Sequence, residues 1–317
     1  MLGGPRRRHI PGVASGGMRE LSELAPGGMS AGSTPPGLRL PTSLSPSKVS
    51  TFTSCALAFR FSAIDRVPEP GSQWTAKGTL VHKALERLYA EVPAGQRTVG
   101  QALELLHESA PIVLAEEGFE PEDLNEFVTD AELLVANAFR LEDPNAVNVI
   151  GLELKLEATV GSLRLRGIID RLDLLEDGSI VVTDYKTGRA PSEMFERRSL
   201  GGVNFYAFLC ERVLGRRPAH IQLLHLREPV AIIATPSDQS VAQLERRTSA
   251  IWTAVERACE RNDFKPRPSR LCDFCAFKQW CPAFGGDPAA APGPAVTPTT
   301  AAPGAPAAPT PALSVSA

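Results

Sequence analysis

Between Gly151 and Gly188 the chain reads GLELKLEATVGSLRLRGIIDRLDLLEDGSIVVTDYKTG, with apolar and polar residues in alternation. Leu152, Leu154 and Leu156 share one parity, and Leu163, Leu165 and Gly167 repeat it after Gly161-Ser162. Period-two alternation bounded by turn residues predicts strands. With a second turn at Asp177-Gly178, it predicts an antiparallel meander of three strands over 150–186. Elsewhere the period is helical. Ser45 suits an N-cap and Pro46 the first position of a short helix through Val49, Phe52, Cys55 and Phe59. Leu80, Val81, Ala84, Leu85 and Leu88 form the stripe of a helix over about 77–90, and helical patterns follow over 98–117 and 121–140. After the meander come a helix over 199–213, strands over 220–226 and 230–235, and a long helix over 237–261. That order predicts an α/β (α+β) core with an inserted helical region.

Composition sets the limits of that core. The chain has 317 residues, 43% of them hydrophobic, enough for one large domain with appendages. Residues 1–42 are rich in Gly, Pro and Ser, and residues 285–317 form an Ala/Pro/Thr tract without Lys or Arg; both predict disorder, leaving 43–284 as the folded part. No run of eighteen apolar residues predicts a membrane span. The basic start lacks an apolar stretch behind it, which predicts no secretory signal and a reducing, cytoplasmic location. A net charge of −3 gives no overall cationic field, so a nucleic-acid partner would need a local basic groove. Arg197-Arg198, Arg216-Arg217 and Arg246-Arg247 show that basic residues do cluster locally.

Four charged residues interrupt the meander: Glu153, Asp170, Asp184 and Lys186. Asp184 and Lys186, two apart on a strand, project to the same side. Carboxylates converging on one sheet face repel unless compensated, and a hard divalent cation such as Mg²⁺ or Mn²⁺ is the usual compensation, implying chemistry on phosphate. Asp170, Asp184 and the Tyr185 carbonyl are candidate ligands. Lys186 is the candidate to orient water or steady developing negative charge, and Glu153 to assist a second metal or position water. The alternative is strand-edge charges held by salt bridges. His82, on the apolar stripe, is either a core histidine or a nitrogen ligand that favours manganese. Lys77-Gly78-Thr79, at the predicted helix start, is a candidate phosphate contact. Cys272, Cys275 and Cys281 are spaced as metal ligands in the segment 265–284, whereas Cys210 and Cys259 read as core.

Gly78-x3-His82, Gly167-Ile-Ile-Asp170, Asp184-Tyr-Lys-Thr-Gly188 and Asn204-Phe-Tyr206-Ala207 occur in an order that resembles the RecB-family branch of the PD-(D/E)xK nuclease superfamily. Ser45-Pro-Ser-Lys48 and the segment Cys55–Arg60 resemble the start of stand-alone members. The resemblance implies a restriction-endonuclease-like core, a mixed central sheet flanked by helices. It also implies a metal-dependent DNA exonuclease acting on single-stranded ends in recombination and repair, with Tyr206 at the site. It further implies that Cys55 joins Cys272, Cys275 and Cys281 around a [4Fe–4S] cluster, a clasp across the domain; zinc on the same thiolates is the rival. The pattern departs at Gly202, where the family carries a glutamine that helps hold the site and the DNA backbone; Asn204 and Arg198 are the candidate replacements. That departure and the acidic pI favour a second reading, a nuclease-like DNA-binding module with little activity. It would work beside a helicase, which must be a separate chain because no GxxxxGK[ST] loop is present.

Overall fold

The computed structural model of the protein describes residues 38–190 and 193–293, for 193–201 the backbone only. Most of both tails lies outside these residues. Within the described residues, the Leu38 amide donates to the Cys259 carbonyl at 3.1 Å, and Leu44 pairs in parallel with Leu165.

Helix α1 (Pro46–Ser54) starts as predicted, with the Ser45 hydroxyl accepting the Lys48 amide at 3.3 Å. It does not run on to Phe59. Cys55 is extended (φ −158°, ψ 110°), and α2 (Ala56–Phe59) restarts beyond it before widening into a π-helical turn at Arg60–Asp65. Helix α3 (Gln73–Glu91) begins one turn before Lys77, because Ser72 caps it through the Thr75 amide. Lys77-Gly78-Thr79 is therefore helix interior. Lys77 is buried and ion-paired with Asp130, and the Thr79 hydroxyl bonds Glu117, so these residues do not present the free helix-start amides that the expected phosphate contact relied on. Helices α4 (Val99–Glu117) and α5 (Leu124–Leu141) complete the helical insertion.

Strands β1 (Val149–Val160), β2 (Leu163–Leu174) and β3 (Ile180–Lys186) form the antiparallel meander, turning at Gly161 and Gly178 with φ of 58° and 80°. Glycine adopts those left-handed values without a Cβ penalty. Helix α6 (Glu193–Leu214) then carries the chain to β4 (His220–His225), which runs parallel to β3. Strand β5 (Val230–Ala234) adds antiparallel, and α7 (Asp238–Arg261) follows. The sheet order β1-β2-β3-β4-β5 is thus mixed, its one parallel pair bridged by a crossover helix.

Both faces of the sheet are covered, which explains why β3 is buried from Ile180 to Tyr185. On one face Ile180, Val182 and Leu223 pack with Phe205 and Phe208 of α6 and Leu244 and Val255 of α7. On the other, Tyr185, Leu224 and Leu226 pack with Leu80 and Leu85 of α3, Leu106 of α4 and Leu134 of α5. The cysteine-bearing C-terminal segment docks on the π-helical turn, Phe277 against Phe61 with ring centroids 5.4 Å apart. Among the described residues, no helix is long and apolar enough to cross a membrane.

Candidate active site

The alternation of the meander fails at one cross-strand position, and the failure builds the site. Leu152 and Leu154 were expected on one face; instead Leu152 packs in the α3 layer and Leu154 in the α6 layer. On the neighbouring strand, Ile169 packs with α6 while Arg171 stacks on Tyr89 of α3, 4.5 Å from its ring centroid. Between these pairs lie Glu153 and Asp170. Glu153 has φ 43°, a left-handed value that costs a non-glycine residue on the order of 1–2 kcal/mol. Such strain persists where surrounding structure imposes it, and here it turns the carboxylate toward Asp170 and His82. One ligand atom from each of His82, Glu153 and Asp170 lies within 4.8 Å of the others.

Strand β3 supplies the rest. Asp184 is buried and faces α6, where the Tyr206 hydroxyl donates to its Oδ1 at 3.1 Å. Lys186 is ion-paired with the other carboxylate oxygen, Asp184 Oδ2. Asp170 Oδ2 accepts the Tyr185 amide at 2.7 Å, and His82 Nε2 lies 3.0 Å from the Tyr185 carbonyl. That last separation is also about the spacing of neighbouring ligands on an octahedral cation with bonds of roughly 2.1 Å. His82 Nδ1 sits 3.5 Å from Asp170 Oδ2.

Two glycines permit this convergence. A Cβ on Gly167 would stand 2.7 Å from Leu209 Cδ1 and 3.4 Å from the Tyr206 ring, so glycine lets α6 lie close enough for Tyr206 to reach Asp184. A Cβ on Gly78 would come 3.3 Å from Thr187 Oγ1, so α3 likewise runs close to the end of β3.

The electrostatics ask for a cation. Burial, and then the Asp184 charge, raise the Asp170 pKa to about 7. Burial and Asp170 push Glu153 above the usual carboxylate range, and burial lowers His82 against the pull of Asp184 and Glu153. Carboxylates that resist ionisation beside a neutral imidazole fit a hard divalent cation. Asp184 stands next to the group of three rather than inside it; His82, Glu153, Asp170, Asp184 and the Tyr185 carbonyl are the groups that would hold metal.

A model of the PD-(D/E)XK nuclease superfamily matches residues 43–282, well over half of the chain. The chain belongs to that superfamily. A PD-(D/E)XK nuclease hydrolyses phosphodiester bonds with divalent cations such as Mg²⁺ or Mn²⁺, and the mixed sheet with flanking helices is its fold. The Gene 69 protein of Mycobacterium phage L5 is 28% identical over 134 residues. That match spans 42% of this chain and 44% of the phage protein, less than half the length of the relative. Among solved structures, SSO0001 aligns over 78% of this chain and 88% of its own at 12% identity and a TM-score of 0.39. A proposed exonuclease from Eubacterium rectale aligns over 74% and 87%, at 12% identity and a TM-score of 0.46.

In this member of the superfamily, two features near the candidate ligands escape the motif pattern. His225 pairs with Lys186 across the parallel strands, is buried, and has no hydrogen-bond partner on either ring nitrogen among the described residues. Burial and the Lys186 charge lower its pKa. Its only sequence signal is a histidine ending an apolar strand. Arg171 is fully buried, bonded to Asp173 and Glu142, and its Nη1 donates to the Tyr185 hydroxyl at 2.5 Å. Through Tyr185 it anchors the residue whose amide and carbonyl face Asp170 and His82. A charged residue beside Asp170 gave no hint of such burial.

Position 202 lies on α6 four residues before Tyr206, and a Cβ there would meet nothing within 4 Å. The Arg198 side chain lies outside the described residues. Cys55, Cys272, Cys275 and Cys281 line one cavity, walled by Leu57, Phe61, Phe277 and Phe284. Burial raises the Cys275 pKa, and the other three thiols push it the same way. No three of these sulfurs lie within 4.8 Å of one another. Cys210 and Cys259 are buried in the core.

Proposed function

We propose that this nuclease is a DNA exonuclease of the RecB branch, acting on single-stranded ends in recombination and repair. The observation that carries the reading is the convergence of His82, Glu153, Asp170, Asp184 and Lys186, in the motif order of that branch, at the end of the parallel β3–β4 pair. Metal held by the carboxylates would polarise the scissile phosphate. Lys186, whose side chain is about half exposed, would steady the charge that develops on it or orient the attacking water. Tyr206 would fix the Asp184 rotamer.

The second element of the proposal is a [4Fe–4S] cluster on Cys55, Cys272, Cys275 and Cys281. Four thiolates around one zinc stand about 3.8 Å apart, given bonds of about 2.3 Å. All four thiols line one cavity, so the donor set that either metal unit needs is in one place, and the motif resemblance is what favours iron–sulfur. The cluster would tie the segment after α1 to the C-terminal segment. Anaerobically purified protein should be brown, with iron and sulfide near four each per chain; a colourless protein holding one zinc would overturn this element.

The test of the reaction is incubation of labelled single-stranded and duplex DNA with Mn²⁺ or Mg²⁺. Wild type should shorten single strands from an end, and Asp184→Ala and Lys186→Ala should not. Gly202 supports the rival, a DNA-binding module beside a helicase. Tight binding without cleavage under either metal would establish it.

A further inference from the structure

Trp74, Gly78 and His82 recur every four residues along α3 and so lie along one face of it. His82 reaches the Tyr185 carbonyl, and Gly78 abuts Thr187, so this face runs along the strand end that bears Asp184 and Lys186. Trp74 sits one turn beyond Gly78, about 12 Å along the helix from His82 at ~1.5 Å per residue. It is 66% exposed, a large apolar surface left in water beside a catalytic centre.

Its surroundings are cationic. Lys77 Nζ lies 5.7 Å from the indole centroid, and the Arg227 guanidinium carbon 5.9 Å. Both cations bond the same oxygen, Asp130 Oδ2, Arg227 Nη2 at 2.9 Å. They therefore approach the indole from one side and leave the other open. One carboxylate between two cations leaves one positive charge over. Arg227 Nε is buried and has no acceptor among the described residues. An exposed aromatic face beside a partly exposed guanidinium, in a cluster with one positive charge over, matches one ligand chemistry, a nucleotide: a base for the indole and a phosphate for the arginine.

We propose that Trp74 and Arg227 form a subsite for an unpaired nucleotide, its base stacked on the open face of Trp74 and its phosphate bonded by Arg227. This rests on the single-strand reading above and adds a physical source of that preference. A base inside a duplex already has both faces stacked and cannot lie on an indole, whereas an unpaired base can. At ~3.4 Å per stacked nucleotide, 12 Å places the subsite roughly three to four nucleotides from the metal ligands. Lys77 and Asp130 position Arg227 and hold the indole from behind.

The test uses the full chain and a fluorescent oligothymidylate of about twenty nucleotides. Binding is read by anisotropy with Ca²⁺, cleavage with Mn²⁺, and hydrolysis of bis(p-nitrophenyl) phosphate serves as a substrate too small to reach Trp74. Trp74→Ala should weaken oligonucleotide binding roughly 5- to 150-fold, the range of one lost base stack. Hydrolysis of the small diester and the melting temperature should stay as in wild type. Trp74→Phe should recover most of the binding, and Arg227→Ala should weaken it with a shallower salt dependence. Unchanged binding in Trp74→Ala, or an equal loss on the small diester, overturns the subsite while leaving the nuclease reading intact. Weaker binding by Trp74→Ala in a protein that cuts nothing upholds the subsite and overturns the nuclease reading. A wild type that binds no single strand overturns the subsite outright.

Discussion

Asp170→Asn separates the cost of building the candidate metal site from its use. Burial, and then Asp184, raise the Asp170 pKa from 3.8 to about 7. Between those values the folded protein keeps a proton that the unfolded chain has released. The stability this proton contributes is complete below about pH 4 and is lost as pH rises through about 7. At about 1.4 kcal/mol per pH unit, the loss is on the order of 4 kcal/mol by pH 8. For a domain of this size that is roughly 10 °C in Tm. Asparagine is uncharged at every pH and can still accept the Tyr185 amide, which bonds Asp170 Oδ2 at 2.7 Å. Metal-free Asp170→Asn should therefore show a weaker fall in Tm from pH 4 to 8, melt several degrees above wild type at pH 8, and cut no DNA. Adding Mn²⁺ should raise the wild-type Tm far more than that of the variant, because the cation offsets a repulsion the variant lacks. The measurement is thermal unfolding of both proteins across pH in a chelator and in Mn²⁺. Parallel curves in the chelator, or a variant less stable than wild type at pH 8, would refute the reasoning.

Three further substitutions probe the surroundings. His225→Leu removes a buried ring with no hydrogen-bond partner and should gain about 1–2 kcal/mol in urea denaturation; a loss would show that the ring is bonded. Gly202→Gln adds a side chain where a Cβ meets nothing within 4 Å and should gain about 0.5–1 kcal/mol of helix stability. It should also speed cleavage of labelled single strands, and unchanged cleavage would mean that position 202 does not reach DNA. Arg171→Met strands Asp173 and Glu142 without their cation and should cost about 3–5 kcal/mol. It should weaken Mn²⁺ binding by calorimetry as well, since Tyr185 loses its anchor.

Where local rules govern, the fold was legible in the residues. The Gly161 and Gly178 turns and the Ser45 cap lie where alternation and capping chemistry put them. Cys55 was read as helical because nothing in Thr-Ser-Cys-Ala breaks a helix, and its extended backbone comes with the docking of a segment two hundred residues later. Ser72 did announce the true start of α3, but Gln73 and Thr75 carry no apolar stripe to draw attention to it. The reversal at Glu153 was invisible, because Leu152 and Leu154 share a parity and a left-handed glutamate leaves no trace in a polar pattern. The grouping of His82 with Tyr185, 103 residues away, came from motif order rather than from any local signal.

The cavity shared by Cys55 and the three later cysteines fixes an order of events during synthesis. More than two hundred residues separate its two sides. At about 5–20 residues per second, Cys55 leaves the ribosome roughly 10–40 s before Cys272. Asp170, Asp184 and Lys186 emerge well inside that interval, so a nascent chain carries its carboxylates while half of the cavity is still unmade. Anything that fills the cavity must arrive after translation has passed Cys281. Its closure therefore marks molecules made through to that point, and a chain stalled earlier would carry the carboxylate-bearing strands without it.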